Sequence, residues 1–171
     1  MLKKISDDYI INVLQNHEAL MKAARQQLVD IFKSKDENGM IVCASLYKGD
    51  AGSSRTNDVH DLSDVLDRYN RLCHEWTMSV QSNIRSLIER QETINRIMAC
   101  YNNLSFDYQH VLDTLYINNS YKDGLSELIN EYGKGRTTIL RIRKSAIEAI
   151  KEMYNSELTN LELYSKFNKY R

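Results

Sequence analysis

The chain predicts an all-α fold: a long helical hairpin or coiled coil followed by a C-terminal helix-turn-helix domain. Three observations predict it. Among 171 residues there is no proline and there are only six glycines, the two residue types that break or weaken helix interiors. Apolar residues recur at alternating spacings of three and four over most of the length, which lays them on one stripe of a helix. Hydrophobic residues make up 42%, enough for a buried core and too many for wholesale disorder.

The length suits one compact domain or two small ones, and the pattern divides at about residue 104. In the first helix, about 6–33, Ile10, Leu14, His17, Met21, Ala24, Leu28 and Ile31 form one stripe. Ser6, Asp7 and Asp8 suit its start, where a hydroxyl cap and negative charge satisfy free amides and the helix dipole. From 34 to 58 the period is lost, and "DENG", "KGDAGSS" and the β-prone "MIVCASLY" predict a loop with one strand. The period returns from about Asp58 to Asn102, through Leu62, Leu66, Tyr69, Cys73, Trp76 and Val80, then Leu87, Ile94, Ile97 and Tyr101. Polar Asn83 and Arg90 interrupt that stripe. A helix of this length reaches roughly 60 Å, more than the first helix covers, so it pairs with that helix, with another chain, or with both. The surplus suggests a homodimer through the long helix.

Asn102 and Asn103 favour a turn, and Ser105 is a good cap for a new helix, so residues 105–171 read as a separate helical unit. Its end, "NSELTNLELYSKFNKYR", offers Ser156 as a cap and Leu158, Leu161, Tyr164 and Phe167 as an apolar side. Lys166, Lys169 and Arg171 make that end basic, with core packing favoured over phosphate contact.

Charge is segregated within a chain of zero net charge. From Ser105 to Gly133 five acidic residues face one basic residue, a net −4. From Lys134 to Lys151 six basic residues face one acidic residue, a net +5. A helix-turn-helix needs a supporting helix, a short turn, and a second helix with one side in its own core and the other basic. Leu125, Leu128 and Ile129 supply the buried side of the first, which Tyr132 and Gly133 close. Ile139, Ile142, Ala146 and Ile150 anchor the second, which starts near Gly135 or Arg136. The candidate DNA-binding residues are Lys134, Arg136, Thr137, Thr138, Arg141, Arg143 and Lys144. Arg136, Thr137 and Arg141 lie where base edges are read, and Lys134, Arg143 and Lys144 where phosphates are held. Leu140 either meets a thymine methyl or joins the core, with core favoured. A polyanion attracts the second helix and repels the acidic support, which orients the module. The plainer reading is a solvated basic helix face.

The stretch "LSFDYQHVLDTLYINNSYKDGLSELINEYGKGRTTILRIRKSAIEAI" resembles the helix-turn-helix of region four of bacterial sigma factors over about a quarter of the chain. Tyr116, Leu128, Ile129, Gly133, Thr138, Ile139, Ile142 and Ala146 occupy matching positions. Two departures stand out: Gly133-Lys134-Gly135 carries one glycine more than the usual turn, and Leu140 sits where a polar base-reading residue is more usual. No segment resembles the promoter-melting region of a full sigma factor. The larger arrangement resembles phage late-gene transcription regulators of the ArpU and RinA type. That resemblance implies a sequence-specific activator of packaging and structural genes in the cytoplasm of a bacterial host, with double-stranded DNA as its partner.

Other chemistry finds little support. There is no GxSxG, no phosphate-cradling glycine loop and no HExxH, so no enzyme and no cofactor are expected. Cys43, Cys73 and Cys100 are odd in number and lack a CxxC, which argues against a disulfide framework and fits a reducing compartment. "MLKKISDDYII" has no long apolar run, so neither a secretory signal nor a membrane span is expected. His60 and Asp64 share a helix face and could touch a metal, though a surface hydrogen bond is favoured. His17, on the first stripe, reads as a packed residue. A second functional reading is a coiled-coil adaptor that docks on RNA polymerase or another regulator, motivated by the long stripe from Leu62 to Tyr101.

Overall fold

The computed structural model describes the backbone of residues 5–48 and 62–168 and the side chains of 5–33 and 66–165. It is all-α: α1 (Asp7–Lys48), α2 (Leu62–Asn102), α3 (Phe106–Tyr116), α4 (Tyr121–Tyr132), α5 (Arg136–Tyr154) and α6 (Asn160–Asn168), with no strand among the described residues. The expected start of α1 holds, since Ser6 Oγ accepts from the Tyr9 amide at 3.3 Å and Asp7 and Asp8 occupy the first turn.

The expected loop and strand after Lys33 are corrected, because α1 continues through Lys48. Nothing between 34 and 48 forbids a helix: proline is absent, and a single interior glycine costs only about 1 kcal/mol. α1 therefore has 42 residues and α2 has 41, so α2 has no surplus length over its neighbour. The Gly/Ser part of the expected loop, residues 49–58, and His60 lie outside the described residues. α1 is interrupted at Asn16, where φ is −123° and ψ is 21°. There the Asn16 amide donates to Asn12 Oδ1 at 2.9 Å.

The chain forms two compact units, Met1–Met21 with Gln91–Arg171, and Lys22–Arg90. The division expected at residue 104 falls inside the first unit, where the turn at Asn103 and Leu104 joins helices that share one core. That core takes Ile10, Val13 and Leu14 from α1, and Ile94, Ile97 and Cys100 from α2. Val111, Leu112 and Leu115 of α3 and Leu125 and Leu128 of α4 join it, as do Ile139, Ile147 and Ile150 of α5. α6 adds Leu163 rather than the expected Leu161, which is 80% exposed. Burial of this many branched side chains is the main favourable term in holding the unit together.

Two local features fix how the helices meet. Gly124, in the first turn of α4, lies against the backbone of α3: a Cβ there would stand 2.1 Å from the Thr114 carbonyl oxygen. Thr114, buried at this contact, satisfies its hydroxyl by donating to the His110 carbonyl at 2.9 Å. At the other end, Arg96 of α2 reaches the end of α5 and the α5–α6 connection. Its Nε donates to Tyr154 O at 2.9 Å. Nη1 donates to Leu158 O at 2.7 Å and to Asn160 Oδ1 at 3.1 Å, and Nη2 to Ser156 O at 2.8 Å. The guanidinium also lies 5.3 Å from the centre of the Tyr154 ring. Asn103 extends the tie by donating to Leu163 O at 2.9 Å.

α6 starts from Thr159 and not from Ser156, the expected cap. Thr159 Oγ1 accepts from the Glu162 amide at 3.3 Å while the Glu162 carboxylate accepts from the Thr159 amide at 2.7 Å, a reciprocal capping pair. Ser156 instead donates to Met153 O at 2.6 Å. Phe167 and the basic side chains of Lys166, Lys169 and Arg171 lie outside the described residues.

Gly124→Ala is expected to destabilise the protein by about 2 kcal/mol or more, because overpacking against rigid backbone outweighs the roughly 1 kcal/mol gained in helix propensity. Chemical denaturation of the two proteins checks it. Arg96→Lys keeps the charge but loses the fork, and is expected to cost about 3 kcal/mol in the same measurement.

Candidate nucleic-acid interface

α4, the turn Gly133–Gly135 and α5 follow one another without a break. Ser120 caps α4 by accepting from the Asp123 amide at 3.4 Å. Gly133 ends it in the left-handed conformation, φ 59°, which glycine adopts without steric cost. Gly135 is the N-cap of α5 with φ −68° and ψ 156°, extended backbone open to any residue. It offers no side-chain cap, and the first turn of α5 has no acidic residue. The amides of Thr138 and Ile139 donate to the Gly135 carbonyl at 2.9 and 3.4 Å, which leaves those of Arg136 and Thr137 beside basic side chains, an arrangement that favours an anion.

Leu125 and Leu128 of α4 are buried and Ile129 is partly so; in α5 Ile139, Ala146 and Ile150 are buried and Ile142 is partly so. Ile147, two turns beyond Ile139, is buried as well and belongs to the anchoring side. Leu140 is half-buried.

Of the seven candidate contacts, Lys134, Arg136, Thr137, Thr138, Arg141 and Lys144 are exposed. Thr137, Arg141 and Lys144 follow at spacings of four and three, and so share one stripe. Ser145, also exposed, stands beside them and was not singled out by the sequence. Arg136 is the first residue of the helix, and Lys134 sits 5.7 Å over the Tyr132 ring. Among the described residues, Arg136, Arg141 and Lys144 have no ion-pair partner.

Arg143 is elsewhere. Lying four residues from both Ile139 and Ile147, it belongs to the buried side, and its Nε donates to the Tyr116 hydroxyl of α3. Its guanidinium also lies 5.7 Å from that ring's centre. Arg143, expected to hold phosphate, ties α3 to α5 in the structure. The spacing to the two isoleucines carried this signal. Lys151 is also engaged, bonded to Asp7 of α1 and, at 3.2 Å, to Glu148. The hydrogen bond to Asp7, above all, holds its pKa above the ordinary value. The open cations are therefore Lys134, Arg136, Arg141 and Lys144, and Glu148, four residues beyond Lys144, bounds their stripe.

The acidic residues of the supporting side have local work of their own. Glu131 bonds His110 at 2.8 Å, and that ring stacks on Phe106 with centres 6.0 Å apart. Glu127 accepts from Asn119 at 2.6 Å, and Asp113 accepts from the Tyr101 hydroxyl. No group of three or more His, Cys, Asp or Glu able to hold a metal occurs among the described residues. Nor is any described helix long and apolar enough to cross a membrane.

Burial raises the pKa of Tyr116, with Arg143 opposing, and burial followed by the Asp113 hydrogen bond raises that of Tyr101. Both phenols stay neutral in the folded protein where they ionise in the unfolded chain, so stability is full below the ordinary value of 10.0 and falls as pH rises through it. Denaturation at a series of alkaline pH values is expected to show that fall, made shallower in Tyr116→Phe. A comparison of the chain with family models, with curated proteins and with solved structures finds no match.

Proposed function

We propose that the chain is a sequence-specific, duplex-DNA-binding transcription regulator in which α4, the Gly133–Gly135 turn and α5 act as a helix-turn-helix. The observation that carries this reading is the set of exposed, unpaired cations Arg136, Arg141 and Lys144 on a helix whose reverse side is anchored in the core. Basic groups near a helix N-terminus oppose the helix dipole and weaken the free helix by a few tenths of a kcal/mol to about 1 kcal/mol. A phosphate ligand removes that penalty.

Arginine presents a planar fork that matches O6 and N7 of guanine, whereas lysine serves as a point charge for phosphate. Arg141, with Thr137 beside it, reads base edges, while Lys134 and Lys144 hold the backbone. The open stretch from Arg136 to Ser145 is about 15 Å long, the length of roughly four base pairs. The major groove of B-form DNA admits a helix and that of A-form RNA does not, so duplex DNA is the ligand. Activation of phage late genes is the role that the sequence resemblance adds.

Selection from random duplexes at fixed salt is expected to yield a preferred site. On that site Arg141→Ala costs about 1–3 kcal/mol and relaxes one base position. Lys144→Ala weakens all sequences alike and lowers the salt slope by about one. Gel shifts in which Arg141→Ala matches the wild type on every probe would remove the assigned role.

A further inference from the structure

The unit Lys22–Arg90 presents a second surface, independent of what α5 binds. None of its described side chains is buried, and every buried apolar side chain described belongs to the other unit. On one side of this unit, α1 and α2 line a cavity of about 360 Å³ with Gln27, Asp30, Asn83, Ser86 and Arg90, and with Ile31 and Leu87. Asn83 and Arg90, which interrupt the apolar stripe in the sequence, thus line this groove. Helical phase sets a different group on the opposite side. Leu28 and Phe32 point away from Asp30 on α1, and Leu66 and Ile88 point away from Ser86 on α2. Phe32 is 61% exposed, Leu66 58% and Ile88 50%.

We propose that this apolar side is the interface of a twofold-symmetric dimer in which α2 runs antiparallel to α2 of a second copy. The charge pattern selects that occupant. Asp67 and Arg85 are both exposed and lie eighteen residues apart, about five full turns at 3.6 residues per turn, and therefore on one line along α2. A twofold axis level with Trp76, midway between them, sets Asp67 against the partner's Arg85, and Arg85 against the partner's Asp67. The same register brings Leu66 level with the partner's Ser86. Residues 27–31 of α1 and 83–90 of α2 line one cavity and so stand side by side, which sets Leu66 against the surface near the partner's Ile88 and the partner's Phe32. One register therefore covers exposed apolar groups on both chains and pairs opposite charges twice, as an isologous interface requires.

Sedimentation equilibrium of the full chain across the micromolar range is expected to show a dimer. Asp67→Arg and Arg85→Asp alone each turn two attractive pairs into two like-charge contacts and weaken association on the order of tenfold. The double exchange restores it, with unchanged helical circular dichroism throughout. Ile88→Lys, which puts an unpaired charge into the apolar contact, gives a monomer. A wild-type monomer at every concentration, a higher oligomer, or a double exchange no tighter than the single variants would overturn the proposal.

Discussion

The compact unit depends on Arg96 more than on any other polar group. The last carbonyls of a helix have no partner within it, and at the end of α5 a side chain from α2 supplies the donors. Four of the five guanidinium N–H bonds are spent on Tyr154, Ser156, Leu158 and Asn160. A guanidinium stays charged at every relevant pH and holds its donors in a fixed plane. One residue therefore sets the end of α5, the path of the connection and the start of α6. Lysine, with a mobile point charge, has no equivalent geometry.

Because that anchor lies on α2, the basic helix is built onto the beginning and end of the two long helices and does not form a module by itself. Asp7 of α1 bonds Lys151 near the far end of α5, Arg143 bonds Tyr116 midway along it, and Gly133 turns the chain into it. α5 is fixed along its inner side and left open along its outer side. The cations that take part in fixing it are not those that remain for a ligand, and net charge along the sequence did not separate the two groups.

Much of this was legible from periodicity. The helical class, the start of α1, the end of α4, the start of α5 and the anchoring residues of α5 follow from spacing and turn residues, because a helix has one period and a core faces one side of it. The end of α1 was not legible: Gly39 and the β-prone run near Val42 and Cys43 are weak local preferences, and propensity yields to context. Ser156 looked like a cap on residue type alone, whereas capping is decided by where the helix begins, and Thr159 with Glu162 decides it. The roles of Arg96, Tyr116 and Gly124 were hidden because each depends on a partner distant in sequence. The exposed cations at 136, 141 and 144 were readable, as each falls off the isoleucine stripe.

Gly135 has no atom within 4 Å of where a Cβ would stand, and its backbone admits every common amino acid. Aspartate or serine at such a position ordinarily strengthens a helix. An aspartate would also set a negative charge among Lys134, Arg136 and the unbonded amides of the first turn. Robustness of the free protein and attraction for a polyanion thus pull in opposite directions at one backbone position, and a residue without a side chain leaves that conflict undrawn.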